Sequence, residues 1–322
     1  MGSSKAVKKI KEYSRLLFIG LAFFLTFPAS AGAVVQSVFL YKLSDFTGVI
    51  PCDWTRVAVD WERNETYVLY QNIIRVFNES GMEIYRFGDD LAIGQINDVA
   101  VDGEGNILLL SYANINDTPK GAVSLCNYRG EPRSKIEWKN FPPELSNYSP
   151  SSMVYRDGLL YFMSGTGMSV VVTDTNGNFR KGYDLFSLLG IEEKKRGSVE
   201  ITGFSVDDRG NILFTVAVLF KAYVLSPDGK LASFGRPGGA PGLFNVVAGI
   251  AADSKGNYLV ADKLKSAVMV FDSNFNFLTQ FGYRSARPGS LIVPYDIAID
   301  RKDRIYISQA HKQGVSVFKL TD

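Results

Sequence analysis

The sequence predicts an all-β fold: a six-bladed β-propeller of four-stranded antiparallel blades, closed by an N-terminal strand that joins the last blade. Three observations carry this expectation. An apolar-x-apolar-Asp pattern recurs with anchors at 60, 102, 156, 207, 253 and 300, a spacing of blade size. Each anchor is followed by a tight turn and two further apolar strands, often ending in Phe-Gly. The chain is rich in glycine (30), phenylalanine (22) and tyrosine (16), as many short strands and turns require.

The units follow in order. The first holds Val57 to Asp60, Tyr67 to Leu69, Ile74 to Phe77 and Phe87-Gly88. The second holds Val99 to Asp102, Gly105 to Ile107 and Val123 to Cys126. The third is degenerate, with Arg156 in the aspartate position. The fourth and fifth restore the pattern at Phe204 to Asp207 and Gly249 to Asp253, and the sixth runs from Ile297 to Phe318. A half-polar sheet must cover both faces, and radial packing of six units does so. The sixth unit lacks a fourth strand. Gln36 to Leu43 (QSVFLYKL) is strand-like and spare, so it supplies the missing one and removes an open edge.

The first 33 residues are a separate object, and 34–322 form one domain. Lys5, Lys8, Lys9, Lys11 and Arg15 precede twelve uncharged residues, Leu16 to Phe27, and then a small-residue run, Ala29 to Ala33. These are the parts of a secretory signal peptide, with cleavage after Ala31 or Ala33. The protein is therefore expected to be exported, periplasmic or extracellular. Its removal leaves 30 basic and 32 acidic residues, so the formal +2 of the whole chain becomes −2. A nucleic-acid partner is not expected. No later apolar run is long enough to span a membrane.

Composition also excludes. Two cysteines cannot make a disulfide-dense scaffold, and one histidine, His311, cannot make a zinc site of several imidazoles. Cys52 and Cys126 leave open a single bridge or two buried thiols. The recurring Asp60, Asp102, Asp207, Asp253 and Asp300 read as turn caps, because five equivalent residues argue for architecture.

The pattern of unit five, Gly249 to Asp253, Gly256 to Asp262, Val268 to Asp272 and Phe281-Gly282, resembles the NHL repeat. The resemblance implies a six-bladed propeller and hosts binding modules and enzymes alike. Among its relatives are histidine-bound zinc lyases, which one histidine does not satisfy, and streptogramin-type lyases, for which His311 is the sole candidate base. Gluconolactonase-type relatives hold calcium, for which Asn97, Asp98 and Asp296 are the weak candidates, with Glu200 further off. No cofactor other than calcium is implied.

Departures from the repeat are the other candidate sites. Ser111 to Gly121 reads as an extended polar loop. Glu131 to Pro150 adds Trp138 and Tyr148, and Gly182 to Gly197 carries Leu185 and Phe186. Together they suggest a recognition face for a protein partner or extracellular polymer. Arg56 either points into the channel or forms buried or rim ion pairs with Glu200 and Asp296. The leading expectation is an exported non-catalytic scaffold, leaning away from an enzyme. The alternative is a channel-mouth enzyme or small-ligand binder, a hydrolase or lyase with or without calcium.

Overall fold

The computed structural model describes residues 35–88, 93–115, 118–285 and 287–321. The expected signal segment, 1–33, lies outside the described residues.

Six four-stranded antiparallel sheets follow one another along the chain. Blade one is Arg56–Asp60, Glu65–Tyr70, Ile73–Phe77 and Glu83–Phe87. Blade two is Gln95–Val101, Ile107–Ile115, Thr118–Cys126 and Pro132–Ile136. Blade three is Ser152–Arg156, Leu159–Ser164, Ser169–Asp174 and Phe179–Asp184. Blade four is Gly203–Val206, Ile212–Val216, Lys221–Leu225 and Leu231–Phe234. Blade five is Val247–Ala252, Tyr258–Asp262, Ala267–Phe271 and Phe277–Phe281. Blade six takes Pro294–Ile299, Arg304–Gln309 and Val315–Thr321 from one end of the domain and Gln36–Lys42 from the other. Gln36 pairs with Thr321 and Lys42 with Ser316, and Phe39 packs edge-on to Phe318 at 5.4 Å. The predicted architecture and its closure are thus observed.

Strand periodicity explains why the ring is stable. Successive side chains point to opposite faces. In blade one Tyr67 and Leu69 therefore pack against blade two, whereas Val68 packs against blade six. The same alternation gives one buried apolar cluster at each of the six blade interfaces. The sixth of these interfaces, Val57, Val68 and Phe77 against Tyr306, Val315 and Val317, exists only because the ring closes.

Cys52 lies in the cluster between blades six and one, and Cys126 in the cluster between one and two. A whole blade separates them, and both are free thiols. Burial pushes each thiol up to about 11, which suits a small apolar side chain rather than a nucleophile.

Turns at the ends of the first strands share one device. Asp207 Oδ1 accepts the amides of Arg209 and Asn211 at 3.0 and 2.8 Å, and Asn211 Nδ2 donates to Oδ2 at 2.8 Å. Asp102 and Asp253 hold Asn106 and Asn257 in the same way. Asp60 accepts from Glu62 and Arg63, and Asp300 from Lys302 and Arg304. Blade three needs no such cap. Its turn, Asp157-Gly158, has φ of 47° and 79°, a two-residue hairpin in which both central residues are left-handed. Arg156 is released from the turn; its guanidinium stacks 3.6 Å over the Trp61 ring and donates to the Val206 carbonyl at 2.9 Å.

The expected loop Ser111 to Gly121 is not a loop. Strands Ile107–Ile115 and Thr118–Cys126 continue as a long hairpin, with Ser111 opposite Ala122 and Ile115 opposite Thr118.

Candidate functional site

The first strands all begin at one end of the central channel, here called the upper mouth. Blade-to-blade connections and the loops between second and third strands reach the same end. Groups from distant parts of the sequence therefore meet there.

Arg56 occupies the floor of this mouth. Its Nη2 lies 3.2 Å from Asp98 Oδ2 and its Nη1 lies 3.0 Å from Asp296 Oδ1. Both carboxylates also reach across blade boundaries. Asp296, in blade six, accepts the Val57 amide of blade one at 3.0 Å. Asp98, in blade two, accepts the Met153 amide of blade three at 2.8 Å. The three side chains thus clasp four blades. Burial works against the Arg56 charge, but Asp296 and then Asp98 outweigh it and raise its pKa. Burial likewise raises the Asp296 carboxyl, with Arg56 opposing.

The clasp decides the calcium question on chemistry. A calcium site needs six to eight oxygens free to turn toward the ion. Asp98 and Asp296 spend theirs on one guanidinium and on backbone amides. Asn97, Asp98 and Asp296 therefore do not form a calcium-binding donor set.

Above the clasp lie two recesses that share Asn97. One, of about 620 Å³, is walled by Asp53, Trp54, Arg56, Tyr70 and Gln95. The other, of about 520 Å³, holds Tyr112, Thr166, Glu200, Lys263 and Tyr295. The loop Ser164 to Thr166 forms part of its wall. Below the clasp, a cavity of about 280 Å³ runs down the channel past Ala58, Ser205 and Trp61 to Asp253 and Asp303.

Lys263 is the distinctive group of the upper mouth. Its loop is fixed by the buried carboxylate of Asp262, which accepts amides from Asn245, Val246, Leu264 and Lys265. The Lys263 ammonium stands 4.7 Å from the Tyr295 ring centre and 5.5 Å from that of Trp54. The two rings meet edge to face at 5.3 Å. Among the described residues no carboxylate comes within ion-pair distance of it. Burial lowers its pKa, with Glu200 acting in the opposite direction. Burial raises the Tyr295 phenol.

The structure distributes the sequence candidates unevenly. Arg56, Asp98 and Asp296 come together in the clasp, and Asn97 and Glu200 line the recess above it. The others do not join them. Trp138 stacks on Phe141 at 5.6 Å and meets Phe162 edge-on, and Tyr148 donates to the Phe162 carbonyl at 2.6 Å. Leu185 and Phe186 sit in a single-turn helix, Leu185–Leu188, capped by Asp184, and are 0% and 2% exposed. Trp138 and Tyr148 pack against blade three, and Leu185 and Phe186 are buried in the cluster between blades three and four. His311 is exposed in a left-handed turn, φ 56°, where its carbonyl accepts from Gln313. It does not line any of the three spaces described above.

Lys263, Tyr295 and Trp54 were not singled out in the sequence. A signal existed. Lys263 follows the last residue of a second strand and Tyr295 precedes Asp296, positions that the repeat assigns to the upper mouth.

No described protein family matches the chain, and no curated protein sequence matches it. Solved structures do. A streptogramin B lyase is 11% identical with a TM-score of 0.57, over 89% of this chain and 97% of that one. A gluconolactonase from Xanthomonas campestris is 14% identical with a TM-score of 0.57, over 92% and 94%. An auxiliary nutrient binding protein from Bacteroides ovatus is 14% identical with a TM-score of 0.58, over 89% and 77%. The fold is that of the lyase and gluconolactonase propellers. No family match stands behind the finer NHL resemblance.

These structures overturn the expectation of a non-catalytic scaffold and the leaning away from an enzyme. A lyase and a gluconolactonase each match over nearly their whole length, so in those proteins the same fold carries catalysis. Among the described residues no helix is long and apolar enough to cross a membrane.

Proposed function

We propose that the chain is an exported enzyme of the lyase or hydrolase class that acts on a small polar substrate at the upper mouth. One observation carries this reading. Asn97, Glu200, Lys263 and Tyr295, from the second, fourth, fifth and sixth units, converge on one recess of about 520 Å³, a size that suits a single small molecule. The Arg56 clasp lines the adjoining recess, not this one, and its charge is already matched, so it positions rather than reacts.

The roles follow from charge and protonation. Glu200 is an exposed carboxylate and serves as the general base. Tyr295, a phenol, carries its proton at neutral pH, and burial holds that proton more firmly still, so it is the group that donates to the leaving group. Lys263 and Asn97 stabilise negative charge that develops on an oxygen. Proton removal at one point and proton delivery at another is the shared core of elimination and hydrolysis. Export is supported by the basic, apolar and small-residue order of the first 33 residues.

The test is turnover of a panel of lactones, esters and cyclic depsipeptides by the purified protein. Glu200→Gln and Tyr295→Phe are each expected to lower kcat by about 100-fold or more without lowering the melting temperature. Turnover indifferent to both substitutions, or no turnover across the panel, overturns the reading.

A further inference from the structure

We propose that the upper mouth binds a small zwitterion of the amino-acid class, its carboxylate on Lys263, its ammonium on Glu200 and its side chain against Tyr295. This rests on the reading of the upper mouth as the substrate site: the zwitterion takes up Glu200 and Lys263 and so competes with substrate there.

The recess offers one cation and one anion. Lys263 has no carboxylate within ion-pair distance among the described residues, although Glu200 lines the same recess and its charge acts on Lys263. Glu200 makes no ion pair or hydrogen bond with any described residue. Two opposite charges that share a recess without meeting match a ligand that carries one of each. Lys263 is half-buried, and the Asp262 carboxylate fixes the loop on both sides of it, so its ammonium is held in place for a ligand.

The surroundings narrow the class further. Arg56 adds no free positive charge, because Asp98 and Asp296 neutralise it. A phosphate dianion would meet a single ammonium and the repulsion of Glu200, with none of the convergent amides or arginine forks that such groups need. A monoanionic carboxylate is matched by one lysine, and Asn97 and Thr166 supply neutral hydrogen bonds beside it. Tyr295 lines this recess and gives the apolar part of the ligand a wall, braced edge to face by Trp54 of the adjoining recess.

The experiment is isothermal titration of the purified full chain with four probes: L-phenylalanine, 3-phenylpropionate, 2-phenylethylamine and inorganic phosphate. L-Phenylalanine is expected to bind about tenfold or more tightly than either singly charged probe, the effect of one additional charged hydrogen bond. Lys263→Met should remove its advantage over the amine, and Glu200→Gln its advantage over the carboxylate. Lys263→Arg should retain most of the binding. Circular dichroism melts establish that each variant is folded. Phosphate or a singly charged probe binding as tightly as L-phenylalanine overturns the proposal, as does unchanged binding in both charge variants or no binding at all. Turnover that depends on Glu200 and Tyr295 without zwitterion binding sinks this inference and leaves the enzymatic reading standing.

Discussion

Aspartates stand at both ends of the channel, and the two sets do different work. At the lower end Asp60, Asp102, Asp207, Asp253 and Asp300 fold back on their own turns and satisfy amides two to four residues away. At the upper end Asp98 and Asp296 reach other blades, and a single arginine from a third blade joins them. The lower set is complete as soon as a hairpin forms. The upper set is complete only in the closed ring. Local repetition and ring-dependent assembly are therefore separable, by position in the sequence and by energy.

The largest effect should come from breaking the upper set. Arg56→Met leaves two buried carboxylates facing each other without a cation, and should cost about 3–5 kcal/mol in denaturant unfolding. The triple variant Arg56→Met, Asp98→Asn, Asp296→Asn should recover more than half of that loss. A cost for Arg56→Met below about 1 kcal/mol would show that the clasp does not hold the blades.

A smaller effect is expected below. Asp207→Ala strands two turn amides and should cost about 1–3 kcal/mol. Combined with Arg56→Met it should be additive, because the two sites share no partner. Marked non-additivity would mean that the two ends of the ring are not independent.

The smallest effect sharpens the comparison through pH. Asp174 caps the third-to-fourth strand turn of blade three, accepting from Asn176 and Asn178. The Asn178 side chain leads the groups that pull its carboxyl down to about 2. Its folded pKa is thus below the ordinary 3.8. The ionised form favours folding, fully so above that ordinary value, and the contribution is lost as pH falls toward about 2. Asp174→Asn should therefore be slightly less stable than the parent at pH 6, and the gap should close on acidification. A gap constant with pH would contradict the assignment. Asn78 and Asn127 already perform the same capping without charge in blades one and two.

The comparison also explains what the sequence made legible. The six blades, the turn aspartates and the closing strand could be read because each signal repeats or has one matching gap. The third-to-fourth turn caps, Asp174 with Asn178 and Asp272 with Asn276, carry the same Asp-x-x-x-Asn spacing and were readable too. The upper mouth was harder. Arg56 and Asp296 are adjacent only because blade six meets blade one, and no local pattern announces such a pair. Glu200 and Asn97 were visible as polar residues ahead of first strands. Lys263 was hidden by its ordinary appearance, a lysine after a strand, since its isolation from carboxylates is a property of three dimensions. The packing of Trp138, Leu185 and Phe186 was hidden for the converse reason. Large apolar side chains in an insertion carry no pattern that tells which blade they pack against.

The pairing of Gln36–Lys42 with Val315–Thr321 sets an order of events during biosynthesis. The first described strand must wait, unpaired, while the five intervening blades are made. Its partner is the last described strand. Until then the interface between blades six and one is open, and the Arg56 clasp cannot be completed by Asp296. A ribosome therefore delivers an incomplete ring until that strand emerges. The upper mouth takes its final shape only once synthesis of that strand is finished.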